Sequence, residues 1–245
     1  MADVDTGAPG EYQSRVRRRV PLGEDRLSHL YRERFAVDDR AFKERAWAIL
    51  CERVFQPLIR RSDTVLDLGA GHCEFINTIV CGRKLAVDLN PEVARHAGDA
   101  EFIQTNGTDL SAIDAGSVDV VFSSNFLEHL PDKQAVLKTL DECHRVLSES
   151  GTLIILMPNI RYLNGRYWDY FDHHTPLTHF SLAEALDLAR FKAIRVLPRF
   201  LPYTVKQRSV PKSTLLLRVY LRLPFLWPLF GRQMLVVARR RAATA

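Results

Sequence analysis

Two stretches of the sequence carry residues that can do chemistry. The first is VLDLGAGHCEF, Val65–Phe75. An apolar run holding one acid, Asp67, leads into Gly69-Ala70-Gly71. Glycines at the end of a strand let the chain bend sharply and let a ligand approach backbone with no Cβ in the way. Where a dinucleotide loop would place a third glycine, this chain has Glu74. The second stretch is YWDYFDHHTPLTHF, which follows the last strongly apolar run of the middle of the chain. It gathers Tyr167, Trp168, Tyr170 and Phe171 with Asp169, Asp172, His173, His174 and His179, and Tyr162 lies just upstream. Aromatic faces beside carboxylates and imidazoles suit a ring with hydroxyl groups, although such a cluster also simply packs.

More acids complete the first group. Asp88 ends the run KLAVD, where a carboxylate accepts hydrogen bonds from a ribose diol. Asp109 follows the run AEFIQ and can reach an adenine edge. Acids with no phosphate clamp describe a site for a cationic nucleoside rather than a dinucleotide.

These residues need a scaffold. TVLDL (64–68), KLAVD (84–88), AEFIQ (100–104), VDVVF (118–122) and TLIILM (152–157) are short and almost continuously apolar. Strands of that kind are buried on both faces, as in a parallel sheet with crossover helices. Trp47, Leu50, Cys51, Val54 and Leu58 form a helical stripe, and so do Val136, Leu137, Leu140, Cys143, His144 and Leu147 within 132–148. A helix over 182–190 with its N-cap at Ser181, a strand over 192–197 and a last strand over 233–239 complete the pattern. The expected fold is α/β: a doubly wound, Rossmann-like, seven-stranded sheet, mostly parallel, with an antiparallel last strand.

The 245 residues are 47% hydrophobic and 26% charged, enough for one large domain, and the net charge is +5. Basic runs stand near both ends, RVRRR at 15–19 and RRR at 239–241. The first residues lack an apolar stretch of signal-peptide type. The expected organisation is a flexible basic arm over 1–25 and a single domain over 26–245, with an aromatic lid at 158–180 and a basic, apolar insertion at 206–231. The four cysteines have no metal-binding or disulfide spacing, so reduced thiols and a cytoplasmic setting are expected. The insertion contains Arg218, Arg222, Pro224 and Pro228, which rule against a spanning helix. It reads as a cleft wall. A weak peripheral contact with the inner face of a membrane is compatible with it.

Taken in order, LDLGAG (66–71), AVDLNP (86–91), TDL (108–110), SNFLEHLPD (124–132) and RVLSESGTLIILMPN (145–159) resemble the motifs of the class I S-adenosylmethionine-dependent methyltransferases. The resemblance covers about Trp47 to Arg239. It implies S-adenosyl-L-methionine as cofactor, with Asp67, Gly69, Ala70 and Gly71 at its methionine part, Asp88 at the ribose, and Leu89 on the adenine face. Thr108 and Asp109 would lie at the adenine and Asn125 near the sulfonium. Methyl transfer to an unactivated hydroxyl needs a base or a metal. His174 and His173 are the leading base candidates, then Asp172, and His129 of LEHL is a further one. Tyr162, Tyr167, Trp168 and Phe171 are the expected acceptor platform.

SNFLEHL also resembles the ubiquinone-biosynthetic O-methyltransferases, in which an acid three residues before the Glu-His pair helps bind a divalent metal. Asn125 stands at that position, so no metal is expected. No NPPY-like tetrapeptide and no cysteine for pyrimidine methylation is present, so nucleic acid is not the expected partner. The resemblance to small bacterial enzymes of this kind points to O-methylation of a sugar, glycolipid or natural-product hydroxyl, with a small-molecule or lipid-linked glycan acceptor as the expected partner. A phenolic or quinone-precursor hydroxyl, an amine, and a non-catalytic cofactor-binding scaffold at a membrane are the alternatives.

Overall fold

The computed structural model describes residues 40–203 and 213–241. The expected arm, 1–25, lies outside the described residues, and so do 204–212 of the insertion region.

The strands are β1 (Thr64–Leu68), β2 (Arg83–Asp88), β3 (Glu101–Gln104), β4 (Val118–Ser124), β5 (Leu147–Pro158), β6 (Phe191–Leu201) and β7 (Gln233–Arg240). They form one seven-stranded sheet in the order β3-β2-β1-β4-β5-β7-β6. β3 to β5 pair in parallel, and β7 runs antiparallel to both β5 and β6. The expected fold class, including its antiparallel last strand, is the observed one. β5 begins earlier than the apolar run suggests, because Leu147 pairs with Val118 across a register shift.

The helices are α1 (Arg40–Leu50), α2 (Glu74–Thr78), α3 (Lys133–Val146), α4 (His179–Leu188), α5 (Thr214–Arg222) and α6 (Trp227–Phe230). α1 continues through a π turn over Cys51–Phe55 and a 3-10 turn over Gln56–Leu58. The N-cap of α3 is Asp132, whose carboxylate accepts the Ala135 N–H, as an acid in that position should.

α4 starts earlier than expected. Its cap is Thr178, not Ser181. Ser181 is the N3 residue of a capping box in which each side chain serves the other's backbone. A serine before an apolar run fits either position, and the reciprocal bond decides.

Each face of the sheet carries its own apolar core. On one side Phe55, Phe75 and Phe122 are buried together, with Phe75 stacked on Phe122 at 3.7 Å between ring centres. This packs α2 and the π turn against β4. On the other side Val136, Leu140 and Cys143 of α3 and Leu182 and Leu186 of α4 join the opposite sheet residues.

Strand order places the site. The chain lays β1, β2 and β3 outward, then returns to put β4 on the other side of β1. At that reversal the loops leaving β1 and β4 diverge, and the crevice between them opens beyond the carboxyl ends of both strands.

Candidate active site

The glycine loop sits in this crevice, pinned from below. Val87 O accepts the N–H groups of Gly69 and Ala70 at 2.9 and 3.0 Å. Gly71 N–H donates to Asp88 Oδ2 at 2.9 Å, and Asn90 N–H donates to Asp88 Oδ1 at 2.9 Å. Asp88 thus ties the loop after β1 to the turn after β2. Gly69 and Gly71 both have positive φ, 75° and 54°. A Cβ on Gly69 would lie 2.6 Å from the Phe126 ring, whereas one on Gly71 would meet nothing within 4 Å. The ring of Phe126 therefore requires a glycine at 69, and the space in front of Gly71 is open.

Three carboxylates act on one another here. Asp67 is buried in β1, and its pKa is raised well above the ordinary value, chiefly by burial and then by Glu74 and Asp88. Asp88 is raised too, by burial, against the pull of the N–H groups of Asn90, Gly71 and Leu89. Lys43 of α1 pairs with Glu74 at 2.8 Å. A cationic ligand would relieve the remaining negative field. Glu74 is a member of this set that the sequence reading saw only as a missing glycine. Its sign was available: an acid seven positions after Asp67, past a tight loop.

The rest of the expected cofactor residues divide. Ala70 is buried, and Leu89, just after β2, is exposed. Asn125 follows β4 with a left-handed φ of 50°, its N–H held by Leu156 O at 2.9 Å. Thr108 and Asp109 lie on the loop after β3, where Asn106 Oδ1 accepts from Thr108 and Asp109 Oδ1 accepts the Ser111 N–H. Asp109 is exposed and turned to its own loop.

A second cluster joins the turn after β4 to the lid. His129 Nδ1 is 3.2 Å from Asp172 Oδ2 and 3.1 Å from Asp172 O. The N–H groups of His174 and Thr175 both donate to Glu128 O, at 2.8 and 3.1 Å. The His129 and His173 rings meet edge to face, 5.0 Å apart, and His173 Nδ1–H donates to Tyr167 O at 2.9 Å. Glu128 is 1% exposed, and neither carboxylate oxygen has a hydrogen-bond partner. Burial pushes its pKa up to about 7, with His129 pulling the other way. For His129, burial disfavours the charged ring, but the Asp172 hydrogen bond and the charges of Glu128 and Asp172 outweigh it and raise its pKa. Phe126, whose ring packs over Gly69, caps the turn Leu127–His129 and so sets the second cluster next to the glycine loop.

Of the expected bases, His129, His173 and Asp172 converge, and His174 contributes its backbone to the clamp on Glu128. Glu128 was missed, because an acid beside a histidine after a strand looks like surface until the lid covers it. Tyr167 is not a platform. It is fully buried, packed at 4.9 Å against Trp168 and 4.6 Å against His173, so its faces are covered. Its hydroxyl has no partner. Trp168 and Phe171 are exposed. Tyr162 lines a cleft of about 210 Å³ with Leu163, Asn164, Arg166, Tyr203 and Arg232. His179 accepts from Asn159 Nδ2 at 3.0 Å and holds the start of α4.

Residues 66–155 match the family model of the methyltransferase domain. Two Mycobacterium tuberculosis proteins named probable S-adenosylmethionine-dependent methyltransferases are each 33% identical over 141 residues, 54% of this chain and 50% of theirs. The chain thus spans about half the length of these curated relatives. Among solved structures, the methyltransferase in a complex with the Haloferax volcanii Trm112 methyltransferase activator superposes with a TM-score of 0.67 at 20% identity. That match covers 91% of this chain and 99% of the other. An Archaeoglobus fulgidus SAM-dependent methyltransferase gives 0.61 at 21%, covering 82% and 97%. At such identities the likeness is one of fold. The chain carries a methyltransferase domain over residues 66–155, and this match, the names of the relatives and the shared fold support a class I S-adenosylmethionine-dependent methyltransferase.

Proposed function

We propose that the protein transfers a methyl group from S-adenosyl-L-methionine to a hydroxyl oxygen of an acceptor held between the crevice and the lid. The observation that carries this is the adjacency of the two clusters. Carboxylates 67, 74 and 88 suit a cation at the glycine loop, and His129 with Asp172 and Glu128 offers proton-accepting groups beside it.

The reaction is an in-line displacement. An oxygen lone pair forms the new C–O bond as the C–S bond breaks, and its electrons stay on sulfur as a neutral thioether. The hydroxyl proton leaves to the cluster and from there to solvent. The fold's contribution is to align oxygen, carbon and sulfur and to prepare the place that receives the proton. An amine acceptor would need no such place, and this favours a hydroxyl.

Exposed Trp168 and Phe171, with the polar cleft around Tyr162, support an acceptor with a sugar ring. A lipid-linked acceptor, used at the inner face of a membrane, draws support from α5 and α6. One side of this segment docks through Tyr220, whose hydroxyl donates to Phe200 O at 2.6 Å. The other leaves Leu215, Leu216, Val219, Phe225, Leu229 and Phe230 exposed. Among the described residues, no helix is long and apolar enough to cross a membrane.

The test is transfer of labelled methyl to a panel of sugars, glycolipids, phenols and amines. Label in a sugar or glycolipid ether supports the proposal. Label confined to phenols narrows it to an aromatic hydroxyl, and label only in amines overturns it. Cofactor binding with no transfer to any acceptor favours a scaffold.

A further inference from the structure

We propose that the cleft between Tyr162, Arg166, Tyr203 and Arg232 binds a phosphate group carried by the acceptor. The site stands on its own geometry; its use in methyl transfer rests on the reading above.

The cleft has a volume of about 210 Å³. Whole drug-sized ligands fill pockets of roughly 300–1,000 Å³, so this one suits a single group of a larger molecule. Each polar side chain on its wall can donate a hydrogen bond, and among the described residues no carboxylate lines it.

Two guanidinium groups are fixed at this wall by backbone rather than by acids. Arg199 of β6 donates from Nε to Gly231 O at 3.1 Å and from Nη2 to Leu229 O at 2.9 Å. Arg232 donates from Nη1 to the same Gly231 O at 3.1 Å. Sharing one acceptor oxygen holds the two cations side by side. Like charges so placed repel, and a bound dianion would offset that repulsion. Among the described residues Arg232 spends only Nη1 on its bonds. Its Nε and Nη2 remain for a ligand, and a guanidinium presents its N–H groups to phosphate oxygens in pairs.

The arrangement is held from several sides. A Cβ on Gly231 would lie 2.4 Å from the Arg199 carbonyl carbon, so a glycine is needed for the turn before β7 to come this close to β6. Arg199 also lies over the Tyr162 ring, 4.9 Å from its centre, which ties β6 to the lid. On the opposite wall the Tyr203 ring is 6.1 Å from that of Tyr170, and the Tyr170 ring is 4.9 Å from that of His173. The cleft is thus two aromatic rings away from the histidine cluster. A phosphate anchored there leaves the rest of the acceptor to lie toward that cluster.

The phosphate has two possible sources. Leu229 and Phe230, both exposed, lead directly into the turn that carries Arg232, and an alkyl chain beside them fits a lipid phosphate. A soluble sugar phosphate presents the same group without the chain.

The full chain is titrated by calorimetry with glucose 6-phosphate, octyl phosphate, glucose and glucuronate, each in a separate run and the octyl compound below its micellar concentration. We expect saturable binding of the phosphates and none of glucose or glucuronate. Octyl phosphate as the tighter of the two assigns a lipid source, and glucose 6-phosphate as the tighter assigns a soluble one. Arg232→Gln should weaken phosphate binding tenfold or more, as for a lost hydrogen bond to a charged group. Arg232→Lys, which keeps the charge without the fork, should weaken it less. Arg61→Gln removes the same charge from an exposed residue before β1 and should change nothing. Unchanged affinity for S-adenosylhomocysteine shows that each variant is folded. No saturable binding of either phosphate, equal binding by Arg232→Gln, or glucuronate binding as tight as theirs overturns the site. A chain that binds phosphate through Arg232 but methylates no hydroxyl keeps the site and loses the hydroxyl reading. Hydroxyl methylation with equal kcat/KM for glucose and glucose 6-phosphate, unmoved by Arg232→Gln, does the reverse.

Discussion

Asp172 meets His129 twice, through its carboxylate at 3.2 Å and its backbone oxygen at 3.1 Å, both on Nδ1. The bond ties the lid to the turn after β4 and sets the imidazole tautomer. Asp172→Asn keeps the shape and removes the charge. It should lower kcat by about 10²-fold or more, the range for a positioned acid–base group, and leave KM for S-adenosylmethionine unchanged. Steady-state kinetics with each substrate varied in turn checks this; equal loss in both parameters would point to general unfolding of the lid.

Asp88 holds Gly71 and Asn90 from its two oxygens. Asp88→Ala should weaken S-adenosylhomocysteine by about 1.5–3 kcal/mol, the range for hydrogen bonds to a charged group. It should also lower the melting temperature, because two N–H groups lose their acceptor. Gly71→Val places a β-branched residue at φ 54°, in otherwise open space. Its backbone strain is about 1–2 kcal/mol, and loss of cofactor binding should exceed any loss of stability. Calorimetry and thermal melts on the same samples separate the two.

Asp67 trades stability for binding. Its folded pKa is raised by burial, Glu74 and Asp88. A raised carboxylate binds more protons folded than unfolded. Its contribution is therefore whole below the unfolded value and is lost as pH rises through the folded one. The ligand-free protein should melt lower as pH rises from the ordinary aspartate range into the raised one. Asp67→Asn should flatten that fall, raising the melting temperature at neutral pH by about 2–4 °C for each kcal/mol relieved. The same variant should bind S-adenosylmethionine more weakly. Melts across pH, with and without cofactor, test both halves; a variant that is destabilised at neutral pH contradicts the charge argument.

The exposed side of α5 and α6 should bring the chain to anionic vesicles weakly and less so at high salt, since attraction to headgroups is screened. Leu216→Glu with Phe225→Glu should abolish sedimentation and spare turnover of a soluble acceptor. Binding to neutral and anionic vesicles alike, or to neither, would count against an anionic lipid surface.

The sheet was legible in the sequence because its signals are local. Apolar runs such as TVLDL and TLIILM report burial on both faces without reference to the rest of the chain. The glycine loop and Asp88 are equally local, since a turn at a strand end constrains only its neighbours. The cap of α4 was less secure, because Thr178 and Ser181 carry the same kind of side chain and only their mutual bond assigns the roles. Tyr167 and Trp168 are adjacent aromatics, and nothing in their types says that one is buried and the other exposed. Of the second cluster, His129, Asp172 and His173 were legible one by one as base candidates, but Glu128 and the meeting of all four were not. Glu128 and His129 lie more than 40 positions before Asp172 and His173, and no periodicity links them. Their meeting depends on β5 carrying the chain back across the sheet and on the lid folding over the turn after β4. Sequence determined the scaffold and the glycine loop, where each residue's conformation depends on near neighbours. Tertiary structure alone decided which acid was buried away from water and brought the His129 and His173 rings together beside it.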